Sequence, residues 1–244
     1  MAQKQVKSII DINDHVNKLH GWQKQVIKIW ESARHLILIA TRQHGKSWLV
    51  DQALTSFIFR YKREGALNQA LVVCSTAEQA FTVHFREVEA IMKDFPKELI
   101  HIHGRGGGSR IHVTIRRPWF NDTLMIQFIG AGNLDALRGE TADFILLDET
   151  ADLPLGSWND ILRPMLDHTG GRAVITGTAK GRHTEFYNIY STFKALREKY
   201  PHLYAVCEFD LFTARLKPES FIQETYDYYV TLSLIHISEP TRPY

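Results

Sequence analysis

Cysteine is scarce in this sequence, with only Cys74 and Cys207 among 244 residues. Each lies within an apolar run typical of a β-strand, and their spacing matches neither a disulfide framework nor a zinc site. The sequence therefore predicts two reduced core thiols in an intracellular protein.

The sequence also lacks long hydrophobic runs and a marked excess of one charge. No stretch approaches the roughly 20 apolar residues of a membrane-spanning helix. The N-terminus carries acidic residues from Asp11 onward and has no apolar signal-peptide core. The net charge of +2 is too small to indicate a nucleic-acid-binding protein, so such a role must come from local clusters. We therefore expect a soluble, cytoplasmic protein without a membrane partner.

Short apolar runs alternate with segments of helical periodicity. Most of the predicted strands are apolar at consecutive positions, as expected for strands covered on both faces. The predicted strands are residues 35–41, 70–76, 143–149, 172–178 and 203–209, and the predicted helices are residues 45–63, 76–95 and 184–200. This alternation predicts an α/β fold with three layers and a mostly parallel sheet. Residues 111–132 interrupt the alternation, and the Asn121-Asp122 turn predicts an added hairpin.

The tripeptide Gly45-Lys46-Ser47 lies between the first predicted strand and the first predicted helix. A phosphate-binding P-loop reads G-x-x-x-x-G-K-[ST], and Ala40 replaces its first glycine here. Alanine is tolerated at that position if the backbone keeps a negative φ. The helix start would bind anionic oxygens, Lys46 would neutralise phosphate charge, and the Ser47 hydroxyl would ligate Mg²⁺. The alternative is a chance tripeptide at a helix N-terminus.

Asp148 and Glu149 follow four apolar residues, the pattern of a Walker B strand. Asp148 would hold Mg²⁺ through water, and Glu149 is placed to polarise an attacking water molecule. An acidic strand end that caps a neighbouring helix is the alternative for this motif alone. Together the two motifs predict binding and hydrolysis of ATP.

In their order along the chain, these motifs resemble the ATPase domain of the large terminase subunit of tailed bacteriophages, the DNA-packaging motor. The likeness spans about residues 18–190. In that family the first P-loop glycine is often Ala or Ser, and an Arg-Gln pair such as Arg42-Gln43 precedes the lysine motif. The segment around Gln23 resembles the adenine-recognition motif, and Thr176-Gly177-Thr178 resembles the coupling motif.

This resemblance implies a P-loop NTPase that uses ATP and Mg²⁺ to move double-stranded DNA into a viral procapsid. It also implies a homo-oligomeric ring in the host cytoplasm, with the portal protein and the small terminase subunit as partners. The implied nucleotide-binding residues are Gln23, Arg42, Gln43, His44, Gly45, Lys46 and Ser47. Ser47 and Asp148 would hold Mg²⁺, Glu149 would be the catalytic base, and Arg42 would reach the γ-phosphate. Arg138 matches a position from which an arginine could act in trans, and a salt-bridged surface arginine is the alternative.

Two other functions stay open on the sequence. A helicase-like DNA-translocating ATPase would need a second ATPase-fold domain with its own arginine motif, and the sequence contains no such domain. A non-hydrolysing nucleotide- or DNA-binding module is the second alternative, and Glu149 argues against it.

The stretch 101–118 contains four arginines and three histidines and has no acidic residue. A flexible basic loop that faces the DNA backbone and a solvated loop between strands explain it equally well. A metal site at His101, His103 and His112 is disfavoured, because no Cys, Asp or Glu accompanies them.

The sequence predicts four regions: an N-terminal adenine-recognition segment (1–34), the ATPase core (35–210), the start of a lid or linker (211–231) and a non-native tail (232–244). Residues 232–242 resemble a sequencing-library adapter translated in frame. We therefore expect the phage sequence to end near Thr231, which would explain the missing C-terminal nuclease domain of the family. Deleting the tail is expected to leave ATP binding and thermal stability unchanged.

Overall fold

A computed structural model describes residues 21–40, 45–63, 68–92, 96–104, 111–178 and 180–209. The predicted regions 211–231 and 232–244 lie outside the described residues, as do residues 1–20. Within the described part of the chain, no helix is both long enough and apolar enough to cross a bilayer.

Eight strands of the described residues form one sheet. They are β1 (His35–Ala40), β2 (Asn68–Cys74), β3 (Ile100–His103), β4 (Ile111–Arg117), β5 (Asp122–Gly130), β6 (Phe144–Leu147), β7 (Arg172–Gly177) and β8 (Tyr204–Phe209). Their order across the sheet is β3-β4-β5-β2-β6-β7-β1-β8. The strands from β5 to β8 in this order are all parallel, whereas β4 is antiparallel to both β3 and β5. The predicted mostly parallel sheet is confirmed.

Helices cover both faces of this sheet. They are α1 (Gly21–Ser32), α2 (Lys46–Arg60), α3 (Ala77–Ala80), α4 (Arg86–Met92), α5 (Arg163–Thr169) and α6 (Glu185–Leu196). A π-helical turn, Phe81–Phe85, joins α3 to α4, and a second one, Ser157–Leu162, leads into α5. Short 3-10 helices occupy Lys97–Leu99, Ala131–Leu137 and Thr150–Asp152.

Two apolar layers pack against the two faces of the sheet, which gives the three layers predicted from the sequence. Trp30, Phe57 and Phe144 belong to the layer beneath α1 and α2. Trp158 and Phe193 belong to the opposite layer beneath α5 and α6. Strands in the middle of the sheet are therefore buried on both faces, which explains their continuous apolar sequences.

The predicted hairpin is confirmed as β4 and β5, which pair in antiparallel register through Arg117 and Asp122. Asn121 in the connecting turn has φ 55°, a left-handed conformation that asparagine tolerates. β5 also pairs in parallel with β2, so this arm of the hairpin is an interior strand. The short edge strand β3 and helix α5 were not predicted. Pro164 lies in the first turn of α5, where proline is tolerated.

Arg117 fixes this hairpin to α2 from a fully buried position. Its Nε and Nη2 atoms donate to the Asp122 carboxylate at 2.8 and 2.6 Å. Its Nη1 atom donates to the backbone carbonyls of Ile58 and Tyr61 at 2.9 and 2.8 Å. The planar guanidinium therefore satisfies one partly buried carboxylate and the end of a helix at once.

We expect Arg117→Lys to lower the free energy of unfolding by about 1–3 kcal/mol, because an ammonium group cannot reproduce this fork. Denaturant unfolding followed by circular dichroism measures the change. Arg116→Lys is the matched control, since Arg116 is exposed on the opposite face of β4, and it should stay within about 0.5 kcal/mol of the parent. Equal stability of the two variants would contradict the role assigned to Arg117.

Candidate nucleotide-binding site

Strands β6, β7 and β1 are parallel neighbours, so the segments that follow them meet at one edge of the sheet. The P-loop follows β1, the acidic pair follows β6, and Thr178 follows β7. In open α/β sheets, ligands bind at this carboxyl edge. The topology therefore brings together three motifs that are far apart in the sequence.

Gly45 begins helix α2 with φ 71°, a left-handed conformation that favours glycine. A Cβ atom at this position would lie 3.4 Å from Nε2 of Gln23, whose side chain is buried in α1. The structure therefore brings Gln23 against the P-loop. Arg42, Gln43 and His44, the other residues predicted to bind nucleotide, lie outside the described residues.

The Lys46 ammonium group is buried at the start of α2. Its Nζ atom donates to the Ala40 carbonyl at 2.9 Å and to Thr178 Oγ1 at 3.2 Å. The P-loop lysine thus bridges the end of β1 and the predicted coupling motif. A phosphate group that draws Nζ away would break a contact with that motif.

Ser47 and Asp148 form an oxygen pair of the kind that Mg²⁺ prefers. The Ser47 hydroxyl donates to Asp148 Oδ2 at 3.0 Å, which leaves the lone pairs of Ser47 Oγ available to a cation. The backbone N–H of Glu149 donates to Asp148 Oδ1 at 2.9 Å. Burial opposes the charged form of Asp148, but contacts with His84, Ser47 and Glu149 outweigh it and hold the pKa of this carboxyl below its ordinary value. These residues fit a magnesium site.

Glu149 has a strained backbone. Among the described residues, only Asn121 and Glu149 are non-glycine residues with positive φ, and Glu149 has φ 52°. Such strain costs of order 1–3 kcal/mol and concentrates at functional sites. Glu149 lines a cavity of about 470 Å³, a size common for small-molecule sites.

The other residues lining this cavity follow β1, β2, β6 and β7 in the sequence. They are Gly45, Lys46, Ser47, Trp48, Ser75, Gln79, Asp152 and Lys180. Lys180 Nζ contacts both carboxylate oxygens of Asp152, at 2.7 and 2.8 Å. Sequence reasoning missed Ser75, Gln79, Asp152 and Lys180. The sequence does contain a signal for the position of Gln79. Thr76, shortly after β2, is a residue type that caps helix starts, and its hydroxyl accepts the Gln79 N–H at the start of α3.

The predicted coupling residues, Thr176 to Thr178, contact three other parts of the site. The buried Thr176 carbonyl accepts the Thr150 hydroxyl at 2.8 Å, just beyond Glu149. Gly177 lies against Phe186 of α6, where an added Cβ would be 3.0 Å from the ring. The Thr178 hydroxyl accepts from Lys46. The predicted coupling motif therefore contacts the P-loop lysine, the residue that follows Glu149, and helix α6.

Arg138 forms a surface ion pair. Its guanidinium contacts Asp135 Oδ1 at 3.0 Å and donates to the Asp160 carbonyl at 3.2 Å, with 56% of the side chain exposed. This geometry agrees with the salt-bridged alternative in the free chain, and a role in trans stays a prediction.

His103 and His112 stack across β3 and β4 with ring centroids 4.6 Å apart. No group of three His, Cys, Asp or Glu residues in the described ranges is arranged to hold a metal ion.

Gly45-Lys46-Ser47 stand at the start of a helix after one parallel strand, and an acidic pair follows a nearby parallel strand. This arrangement defines the class of P-loop NTPases. A sequence model described as "Terminase large subunit, T4likevirus-type, N-terminal" matches residues 37–230, well over half of the chain. The chain belongs to the terminase large subunit family.

Individual relatives agree with this assignment. The terminase large subunit of Thermus phage G20c is 29% identical over 168 residues, which cover 65% of this chain and 33% of that protein. The chain thus spans about a third of the length of this relative. The large terminase ATPase domain of Thermus phage P74-26 has 22% sequence identity and a TM-score of 0.64, with 89% of this chain and 91% of that chain covered.

The large terminase of another thermophilic bacteriophage, in complex with ATP-gamma-S, gives a TM-score of 0.59 at 11% identity, covering 88% of this chain and 50% of that chain. At these identities, the two structural likenesses establish the fold, which is the one predicted from the sequence.

Proposed function

We propose that this chain is the Mg²⁺-dependent ATPase part of a DNA-packaging motor. Within a longer large subunit, it would drive double-stranded DNA into a viral procapsid. The observation that carries the proposal is that Lys46, Ser47 and Glu149 line one cavity, with Asp148 hydrogen-bonded to Ser47. A large terminase of the same fold is described in complex with ATP-gamma-S, which supports nucleotide binding here.

In the proposed reaction, the chain's own groups position the phosphates and a water molecule. Lys46 would exchange its contacts with Ala40 and Thr178 for phosphate oxygens. Ser47 and Asp148 would hold Mg²⁺, which neutralises charge on the phosphates when bound. Glu149 would accept a proton from the attacking water at the wall of the cavity. Arg42 would reach the γ-phosphate, where an arginine stabilises developing charge.

The wider assembly follows from the family and not from contacts within this chain. We propose that identical subunits form a ring in the host cytoplasm and act with the portal protein and the small terminase subunit. In that ring Arg138, whose surface ion pair can be exchanged, would reach the nucleotide of a neighbouring subunit.

Phosphate release from ATP, measured with and without DNA, tests the proposal. We expect Mg²⁺-dependent release that double-stranded DNA stimulates. Binding of ATP without release would favour the non-hydrolysing module. Stimulation by single-stranded DNA alone would favour the helicase-like alternative.

Thr178→Val, introduced into a full-length large subunit that contains this domain, should keep ATP binding and uncouple packaging from hydrolysis. Valine has nearly the shape of threonine but offers no oxygen to Lys46, whose Nζ lies 3.2 Å from Thr178 Oγ1. The length of DNA packaged per ATP hydrolysed measures the coupling. Thr192→Val on α6 is the control, and a normal yield for Thr178→Val would rule out the coupling role.

A further inference from the structure

A buried histidine, His84, lies between Asp148 and helix α2. His84 Nδ1 lies 2.6 Å from Asp51 Oδ1 of α2, and His84 Nε2 lies 3.4 Å from Asp148 Oδ2. The second contact lacks the alignment of a direct hydrogen bond. The three side chains are almost completely excluded from solvent, with residue exposures of 2% for Asp51, 0% for His84 and 5% for Asp148. Asp148 Oδ2 is also the atom that accepts the Ser47 hydroxyl.

The backbone around His84 is arranged to present this side chain. His84 lies in the π-helical turn Phe81–Phe85, and such turns within α-helices are frequent at functional sites. Phe81 and Phe85 stack on each other with centroids 4.8 Å apart, and both meet the Phe128 ring edge-on. These aromatic contacts anchor the turn on the sheet and fix the direction of the imidazole.

His35 is also buried, but its surroundings differ from those of His84. His35 packs among the rings of Trp158, Phe193 and Tyr204. Burial there lowers its pKa to about 3, so His35 is neutral. His84 instead faces two carboxylates, with Asp51 Oδ1 at 2.6 Å and Asp148 Oδ2 at 3.4 Å.

Burying two carboxylates and an imidazole in the protein interior carries a large desolvation cost in free energy. Desolvation of buried ions often exceeds the attraction between them, and apolar residues of similar volume are commonly as stable. A purely structural role therefore explains this cluster poorly. Orientation of a metal ligand by polar side chains packed behind it explains the cluster well, because such partners tune metal affinity.

We propose that His84 is a positioning residue for the magnesium site, held by Asp51 and holding Asp148 in the orientation that accepts the Ser47 hydroxyl. This inference rests on the proposed ATPase function. Asp51 and His84 are not among the residues proposed to bind nucleotide, and they would act on Mg²⁺ affinity only through Asp148. Asp148 thereby has Ser47 and His84 at its Oδ2 atom and the backbone N–H of Glu149 at its Oδ1 atom.

The test compares His84→Gln with His35→Gln. Binding of a fluorescent ATP analogue is measured in EDTA and across a Mg²⁺ titration, and melting temperatures report folding. For His84→Gln we expect the Mg²⁺ concentration at half-maximal effect to rise about 10-fold or more, because loss of such a partner typically weakens metal binding by that amount. Binding in EDTA should be unchanged, since Lys46 and the backbone of the P-loop remain. His35→Gln should alter the melting temperature but not the Mg²⁺ requirement.

Asp51→Asn provides a second, isosteric variant in case His84→Gln folds poorly. It should raise the Mg²⁺ requirement in the same direction, and the double variant should show less than the sum of the two effects. A folded His84→Gln or Asp51→Asn variant with a parental Mg²⁺ titration would overturn the positioning role alone. Absence of Mg²⁺-dependent nucleotide binding in the parent chain would instead overturn the proposed function, and this inference with it.

Discussion

Glu149→Gln is expected to bind ATP as the parent does and to hydrolyse it at least about 100-fold more slowly, the lower range of the contribution of a general base. Glutamine matches glutamate in size, but its amide cannot take a proton from water. Glu149 has the geometry for this role because it lines the cavity directly after the Asp148 carboxylate.

The remainder of the site should survive this substitution. The backbone N–H of residue 149 donates to Asp148 Oδ1 whichever side chain it carries. Glutamine at φ 52° also faces the same steric restriction as glutamate, so the local strain is preserved. Binding of nucleotide and Mg²⁺ should therefore be separated cleanly from hydrolysis.

Single-turnover phosphate release and equilibrium binding of a fluorescent ATP analogue together measure the two effects. Glu198→Gln is a suitable control, because Glu198 is an exposed glutamate beyond the end of α6. Hydrolysis by Glu149→Gln at the parental rate would show that another group activates the water.

Lys46→Ala is expected to abolish detectable ATP binding, a loss of about 100-fold or more in affinity. The variant loses charge-assisted hydrogen bonds to phosphate, each of which contributes about 1.5–3 kcal/mol. The Lys46 ammonium is poised at the cavity wall, where the Ala40 carbonyl and Thr178 hydroxyl hold it. Alanine keeps helix α2 intact because it has the highest helix propensity.

Isothermal titration calorimetry with ATP and Mg²⁺ measures this loss, and circular dichroism confirms that the fold persists. Lys28→Ala removes an exposed lysine of α1 and should leave affinity unchanged. If Lys46→Ala binds ATP with parental affinity, the cradle assigned to residues 45–47 does not hold the phosphates.

The fold could be predicted from the sequence to the extent that its signals are local. Five apolar runs became β1, β2, β6, β7 and β8, although the limits of each differ from those expected by one or two residues. β2 covers Asn68–Cys74 instead of residues 70–76, because its pairing with β5 and β6 decides where it begins and ends. β3 is only four residues long and largely exposed, so it lacks the apolar pattern on which strand prediction depends.

The sequence by itself determined the parts of the candidate site that lie within one short segment. Gly45, Lys46 and Ser47 lie at the start of a single helix, and Asp148 and Glu149 follow a single strand, so their arrangement is encoded locally. Only the tertiary structure decided that Lys46 contacts Thr178, that Gln23 lies against Gly45, and that Asp51 and Asp148 share His84. These contacts join residues from separate strands and helices. Sequence periodicity reports which face of an element is buried, whereas the order of strands in the sheet decides which buried polar groups meet.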